Sequence, residues 1–245
     1  MTISRLDHLP VELFHHVFSY LSAHEIFYAF TYVTSYIHAV LQTYRHYRVN
    51  FKAISRNQFD LVCQHIIPDH VIALTLSDDK DTPDSIKLFQ SRFQIHQFTR
   101  LQALEIIEIG PDFCPNFAAQ MVTLKHLRSF RCSRSNRIYP WILYASLYRG
   151  IEQDLFDTYT PIIPQLSQLK LDHGDFLGSI QFPHLRHLVL ERSSIDLIKH
   201  IASAAPQLHT LHTSFSFDSF SSELFSPMPQ LNRLILRIFG KHFCD

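Results

Sequence analysis

The sequence Pro-Gln-Leu-Ser-Gln-Leu-Lys-Leu at residues 164–171 carries the pattern that decides the fold. Its Pro-x-Leu-x-x-Leu-x-Leu spacing returns at residues 183–190, 206–213 and 229–236, with Thr in place of the last Leu at residue 213. Apolar residues at alternate positions indicate a short strand with one buried face. Because chance rarely repeats this spacing four times within 73 residues, the sequence predicts a series of structural repeats.

Three less regular copies of the Leu-x-x-Leu-x-Leu pattern precede these four. The seven copies begin at Val71, Leu101, Leu127, Leu166, Leu185, Leu208 and Leu231. The steps between them are 30, 26, 39, 19, 23 and 23 residues, and those of the second half lie near the period of leucine-rich repeats. The 39-residue step leaves room for an insertion or a degenerate unit, so we expect about seven or eight irregular repeats.

Several of the segments between the predicted strands have apolar residues at helical spacing. Residues 194–204 place four apolar side chains on one side of a helix, with Ser193 or Ser194 as its N-cap. A second helix is predicted from Thr82-Pro83-Asp84 through Phe93, and a short third one over residues 219–225. Strands alternating with helices predict an α/β chain that forms a curved solenoid with a parallel sheet on its concave side.

Alternation along each strand identifies the face that a partner would meet. If the first, fourth and sixth positions of a copy point into the core, the third, fifth and seventh positions line the opposite face. Thr75 is the fifth residue of the first copy. We expect the fifth residues of the other six copies to bind a target protein: Glu105, Arg131, Lys170, Val189, His212 and Ile235. A solvated face without a ligand is the alternative. The position eight residues after each start, a polar ladder in such repeats, holds no Asn in any copy.

The first fifty residues show helical periodicity instead. An apolar stripe predicts the first helix, and its members are Leu13, Phe14, Val17, Phe18 and Leu21. Pro10 suits the first helical turn, where its missing N–H would be unpaired anyway. Ser22 and Glu25 have the spacing of a capping box that begins a second helix, and a third is predicted over residues 36–47.

Three short helices cannot bury all of their apolar surface among themselves, because small domains keep much of their surface exposed. Part of the apolar stripe on the first helix therefore either binds another chain or packs on the C-terminal part of this chain. Periodicity alone leaves both possibilities open.

The N-terminal motifs resemble a known module. Leu9-Pro10-x-Glu12-Leu13, followed by Val17-Phe18-x-x-Leu21 and Ile26-x-x-Ala29-Phe30, is similar to the F-box, a three-helix module that docks on the Skp adaptor of cullin-RING ubiquitin ligases. The resemblance covers residues 6–50. It departs from many F-boxes in the third helix, where Val33, Tyr36 and Ile37 stand in place of a Cys and a Trp.

The resemblance implies an F-box-like module at residues 1–50 and a leucine-rich-repeat domain at residues 51–245. It implies the substrate-recognition subunit of a Skp-cullin-F-box (SCF) E3 ubiquitin ligase, which binds a Skp-type adaptor and a target protein and is not itself catalytic. The residues that would contact the adaptor are Leu9, Pro10, Leu13, Val17, Leu21 and Ile26.

Composition and motif content disfavour several other classes of protein. The 245 residues carry 22 basic and 22 acidic side chains, and this balance disfavours a nucleic-acid partner. The five glycines form neither a P-loop nor a GxGxxG motif, which disfavours a nucleotide-binding enzyme. The N-terminus lacks the pattern of a signal peptide, and no apolar run reaches membrane-spanning length. Four cysteines without disulfide or zinc spacing indicate the cytoplasm or nucleus.

Catalytic and metal motifs are missing from the sequence. The 17 histidines form no HExxH motif, no Cys/His quartet has zinc-finger spacing, and no Gly-x-Ser-x-Gly elbow occurs. We therefore predict no catalytic residue, no metal and no cofactor. The main alternative to the ligase subunit is a repeat scaffold for protein interactions, whose helical leader caps the first repeat. A hydrolase that uses the histidines is a third class, which no motif supports.

Overall fold

The structure, a computed structural model, describes residues 6–79, 82–109, 115–134, 160–216 and 228–239. Its α-helices in these ranges are α1 (Val11–Phe18), α2 (Ala23–Phe30), α3 (Ser35–Thr43), α4 (Arg56–His65), α5 (Ser85–Arg92), α6 (Pro115–Met121) and α7 (Ile195–Ala204). Its strands are β1 (Tyr47–Asn50), β2 (Val71–Ser77), β3 (Ala103–Ile109), β4 (Ser129–Arg134), β5 (Gln168–His173), β6 (His187–Arg192), β7 (Thr210–Ser216) and β8 (Arg233–Phe239). Short 3₁₀ turns lie at Leu6–His8, Pro68–His70, Ile95–Gln97, Ile163–Gln165 and Asp175–Ser179. The helix predicted over residues 219–225 and the insertion predicted between the third and fourth copies lie outside the described residues.

The eight strands follow chain order in one open sheet, and their paired neighbours run parallel. This confirms the predicted α/β class with a parallel sheet. The chain divides into two compact units. Unit 1 comprises Met1–Ile107 and Thr123–His126, and unit 2 comprises Glu108–Val122 and Leu127–Asp245. The N-terminal helices therefore share a unit with β1, β2 and most of β3.

Helices α1 to α3 of unit 1 enclose an aromatic core. The Phe18 ring lies 5.2 Å from the Phe30 ring and 5.4 Å from the Tyr44 ring between centroids, both in edge-on geometry. Tyr44 meets Tyr47 at 5.0 Å, and the buried Tyr47 hydroxyl donates to the Leu41 carbonyl oxygen at 2.7 Å. Edge-to-face ring pairs add stability beyond burial alone, so this cluster holds the three helices together.

Polar side chains begin the second helix, as the sequence predicts, and also the third helix, for which no cap is predicted from the sequence. The Glu25 carboxylate accepts hydrogen bonds from the Ser22 N–H at 2.7 Å and the Ser22 hydroxyl at 2.6 Å. These bonds lower the pKa of Glu25, since they favour its charged form. The Thr34 hydroxyl accepts a bond from the Ile37 N–H at the start of α3.

The third helix ends at Thr43, earlier than the predicted end at Tyr47. The residues that follow form strand β1, in which buried Tyr47 and Val49 alternate with exposed Arg48 and Asn50. Strand β1 pairs in parallel with β2. The predicted boundary at residue 50 therefore coincides with the end of a strand, and α2 packs on both β1 and α4.

The leucines of unit 2 form buried columns across neighbouring strands. The fourth positions of successive copies face one another in register and are at most 2% exposed: Phe130, Leu169, Leu188 and Leu211. Helix α7 buries Leu197, Ile198 and Ile201, and the Ser194 hydroxyl accepts a hydrogen bond from the Leu197 N–H as the predicted N-cap. The next residue in this column, Leu234 on β8, is not buried but 41% exposed.

Other polar groups occupy the ladder position that lacks Asn. In unit 1, the buried Asp79 carboxylate accepts hydrogen bonds from the Thr82 N–H at 2.9 Å and the Thr82 hydroxyl at 2.8 Å. In unit 2, the Ser193 hydroxyl lies 2.6 Å from the Thr213 hydroxyl. Polar groups at strand ends need such partners when water is excluded, and short Asp, Ser and Thr side chains supply them here.

Candidate partner-binding surfaces

Helix α1 and the residue before its cap expose a row of aliphatic side chains. Leu9 is 39% exposed, Leu13 48% and Val17 46%, and the three follow one another at intervals of four residues. Leu13 and Val17 lie one turn apart on the same face of α1, and Leu9 lies in the segment that leads into the helix. We call these three side chains the α1 patch. Exposed apolar groups that are contiguous in this way mark protein interaction sites more often than scattered ones do.

The patch is exposed because the aromatic neighbours of its members fill the core. Phe14 and Phe18 are buried to 3% and 0% exposure, which divides the predicted apolar stripe into an inward and an outward half. Pro10, another predicted adaptor residue, is exposed as the N-cap residue of α1. Leu21 is half-buried.

Ile26, the last residue of the predicted adaptor-binding set, is fully buried. It shares the inward face of α2 with Ala23 and Phe27, whereas Tyr28 on the same helix is 81% exposed. Ile26 therefore belongs to the core of unit 1, and its side chain is not available to a partner in this structure.

Hydrogen bonds hold the beginning of the α1 patch in place. The Tyr36 hydroxyl donates to the carbonyl oxygen of Leu9 at 2.8 Å, and the Thr34 hydroxyl donates to the Asp7 carboxylate at 2.6 Å. Both bonds tie the segment before α1 to the start of α3. A surface that is already ordered loses less entropy when a partner binds.

Sequence reasoning missed three exposed tyrosines in the helical part of unit 1. Tyr20, Tyr28 and Tyr32 are 76%, 81% and 82% exposed. Tyrosine is enriched in binding hot spots, so these side chains are further candidates for partner contacts. Their exposure could have been predicted from the sequence, because none of the three tyrosines belongs to the predicted apolar stripes.

The open face of unit 2 is defined by the third, fifth and seventh positions of the repeat copies in β4 to β8. Five predicted target-binding residues lie there in one row: Arg131 pairs in register with Lys170, Lys170 with Val189, Val189 with His212, and His212 with Ile235. Since neighbouring strands are about 4.8 Å apart, the row spans roughly 19 Å. The sequence alignment of the copies therefore predicts the strand register correctly.

Charged side chains lie near His212 in this row. Lys170 Nζ lies 3.7 Å from Glu191 Oε1, and both side chains remain partly exposed. Burial lowers the pKa of His212, and the positive charges of Arg237, Lys170 and Arg233 lower it further, while Glu191 acts in the opposite direction. The imidazole therefore favours its neutral form near neutral pH.

Glu105, the sixth predicted target-binding residue, belongs to unit 1. It pairs in register with Thr75, whose hydroxyl donates to the Glu105 carboxylate at 3.4 Å. Asn50 precedes Thr75 in the same row of unit 1. The predicted set is thus distributed between the two units, with one member in unit 1 and five in unit 2.

Cys63 on α4 is a half-buried free thiol. Burial raises the pKa of the Cys63 thiol to about 11, so the reactive thiolate form is scarce at neutral pH. No cluster of three or more His, Cys, Asp or Glu side chains in the described ranges could hold a metal ion. Within the same ranges, every helix is too short or too polar to cross a membrane.

No protein-family model matches the chain, and no curated protein matches it.

Proposed function

We propose that this protein is the substrate-recognition subunit of an SCF ubiquitin ligase. In this proposal residues 1–50 act as an F-box-like module that binds a Skp-type adaptor, and the leucine-rich repeats of residues 51–245 form a curved solenoid that binds a target protein. The chain itself catalyses no reaction. It raises the effective concentration of the target near the conjugating enzyme, which the rest of the complex supplies.

The α1 patch is the observation that carries the proposal. Its three members, Leu9, Leu13 and Val17, match apolar positions of the F-box motif. They remain about 40–50% exposed because aromatic side chains fill the core instead. Burying the remaining exposed part of each side chain against a partner would contribute roughly 1 kcal/mol. The ordered Leu9 backbone adds to this by presenting the patch in a fixed position.

Pull-down of a purified Skp-type adaptor with the full chain tests this proposal. We expect the wild-type chain to retain the adaptor and the double variant Leu13→Asp/Val17→Asp to lose it, because two carboxylates would be buried without partners. The matched control is Val122→Asp, since Val122 lies in unit 2 and is as exposed as Val17, at 46%. Circular dichroism checks that each variant is folded.

Failure of the folded wild-type chain to bind the adaptor would contradict the ligase proposal. Equal binding by the double variant and the wild type would remove the α1 patch from it. Unfolding of the double variant would show instead that these side chains belong to the core.

A repeat scaffold without a ubiquitin role is the second candidate function. The packing of α2 on β1 and α4 within unit 1 favours it, because a helical leader that caps the first strands would make the same contacts. In that case the wild-type chain binds no adaptor, and the open face of unit 2 remains the interaction surface.

A further inference from the structure

The open face of unit 2 has a local excess of positive charge, although the whole chain is neutral. Its third, fifth and seventh positions in β4 to β8 carry four basic residues, Arg131, Lys170, Arg233 and Arg237, and two acidic ones, Asp172 and Glu191. Glu191 lies beside Lys170, so these two charges largely compensate each other. The excess is therefore greatest toward β8.

The arrangement on β8 is regular. Arg233, Ile235 and Arg237 occupy alternate positions, and strand geometry therefore directs them to the same face. Both arginines are exposed, and Ile235 is half-buried opposite His212 on β7. Within the part of the chain that the structure describes, neither guanidinium group forms an ion pair with a carboxylate.

We propose that this face binds an acidic segment of a target protein in an extended conformation. Two carboxylates four residues apart pair with Arg233 and Arg237, and an aliphatic side chain midway between them packs on Ile235. This inference rests on the proposed role of the repeats as the target-binding part of the ligase subunit, and it names the chemistry of the target.

The spacing of the groups supports an extended ligand. Residues four apart along a strand are separated by about 13 Å, for β8 and for an extended peptide alike. His212 lies between Ile235 and Val189 in the row, and its imidazole favours the neutral form, so the positive charge beside Ile235 comes from Arg233 and Arg237. Charge complementarity of this kind increases association rates and excludes basic partners.

Fluorescence anisotropy with the full chain and a labelled peptide tests the proposal. The probe is Gly-Ser-Glu-Ser-Leu-Ser-Glu-Ser-Gly, and its matched control has Lys in place of both Glu residues. We expect the acidic peptide to bind more tightly than the basic one, and its affinity to fall as sodium chloride is raised from 50 to 300 mM, about the range over which screening becomes strong.

Charge reversal locates the site. Arg233→Glu/Arg237→Glu should weaken binding of the acidic peptide by about tenfold or more, since both attractions become repulsions. The matched control Arg186→Glu/Lys199→Glu makes the same change in net charge at two exposed residues of unit 2 outside the open face and should leave the affinity within about twofold. If charge reversal lowers the melting temperature, Arg233→Gln/Arg237→Gln provides the same comparison with a smaller perturbation.

Three outcomes would overturn the proposal: equal binding of the acidic and basic peptides, equal losses in the two double variants, or preferential binding of a single-stranded RNA nonamer that displaces the acidic peptide. Adaptor pull-down on the same variants separates this proposal from the ligase role. Adaptor binding without peptide binding refutes the acidic target alone, and peptide binding without adaptor binding refutes the ligase role alone.

Discussion

Val17 and Phe18 are adjacent in α1 and have opposite environments. Phe18 is fully buried among the rings of Phe14, Phe30 and Tyr44, whereas Val17 is 46% exposed on the α1 patch. Both are apolar, so hydrophobicity alone does not separate them. The helical repeat does, because consecutive residues are rotated by about 100° around the helix.

Alanine substitution should measure this difference. Phe18→Ala should lower the free energy of unfolding by about 3–5 kcal/mol, because it leaves a cavity in the aromatic core. Val17→Ala should change it by only about 0.5 kcal/mol. Urea titration followed by circular dichroism gives both values, and similar losses in the two variants would contradict the division of the stripe.

Two histidines of unit 1 have environments that disfavour protonation. His65 is half-buried beside the rings of Phe27 and Tyr32, and burial lowers its pKa, with His38 adding to the effect. His70 is only 8% exposed. Burial lowers its pKa as well, and Arg45 and Arg100 act in the same direction against Asp69.

Stability should therefore decrease as the pH falls below about 6.5, the ordinary histidine pKa. Above this pH both histidines are neutral in the folded and unfolded states. Below it the unfolded chain takes up protons before the folded chain does, which favours unfolding until the folded-state pKa is reached. The urea midpoint should be lower at pH 5.5 than at pH 7.5, and His65→Gln/His70→Gln should reduce that difference. An equal reduction by the exposed control His184→Gln would contradict this assignment.

Packing between elements of unit 2 depends on a glycine after β5. A Cβ atom at Gly174 would lie 2.8 Å from Leu197 Cδ2 in α7 and 2.9 Å from Leu190 Cδ1 in β6. Both leucines are buried, so their side chains have little room to move. Gly174 therefore allows close approach between this segment, α7 and β6.

Gly174→Ala should lower the free energy of unfolding of unit 2 by about 1–3 kcal/mol through overpacking. Gly178 offers a matched control, because a Cβ atom there would meet no atom within 4 Å. We expect Gly178→Ala to be neutral or to stabilise the chain by up to about 1 kcal/mol. Thermal unfolding of the two variants under one set of conditions checks the difference, and equal melting temperatures would refute it.

The elements differ in how clearly the sequence specifies them. The copies from Val71 onward repeat leucines at fixed spacing, so their mutual alignment also predicts the register, as the pairing of Lys170 with Val189 shows. Strand β1 was missed because Tyr-Arg-Val-Asn carries no leucine pattern, although its alternation was a usable signal. Helix α4 was missed too, and the Ser55–Gln58 capping box at its start was the available indication.

The partner-binding residues were harder to predict because periodicity identifies apolar faces but not what covers them. The motif grouped Ile26 with Leu13, yet only the three-dimensional structure shows that Ile26 is buried while Leu13 is 48% exposed. Similarly, the copies predict which residues share the open face, whereas the excess of charge toward β8 becomes evident once the register pairs Ile235, which lies between Arg233 and Arg237, with His212.

At the scale of the whole molecule, the strands of unit 2 are stabilised by contacts with the strands that precede and follow them in the chain. Each strand of unit 2 pairs with the strand of the next copy, and the buried columns follow the same order. Where each strand contacts mainly its neighbours along the chain, stability comes mainly from contacts between adjacent strands. Every strand must therefore keep the same register, so that its leucines join the same buried columns.

A single-residue deletion should test this requirement. Deleting Val189 moves Leu190 to the open face and turns Glu191 toward the core, because side chains alternate along a strand. Hydrogen exchange should show loss of protection across residues 160–216. Inserting one glycine after the exposed Gly178 should preserve protection there, since turns tolerate added length at a cost of about 1 kcal/mol or less. Retained protection in the deletion variant would contradict the shared register.

The row from Arg131 to Ile235, which we propose as part of the target-binding face, is distinct from the buried columns of unit 2. Its members contribute little to the buried columns beneath, which consist of Phe130 and the leucines that face it. Under that proposal, substitutions at these five residues would change specificity while the leucines of the columns stay the same, so descendants of one ancestral gene could come to bind different targets. A combinatorial library randomised at these codons alone would turn the protein into a source of engineered binders.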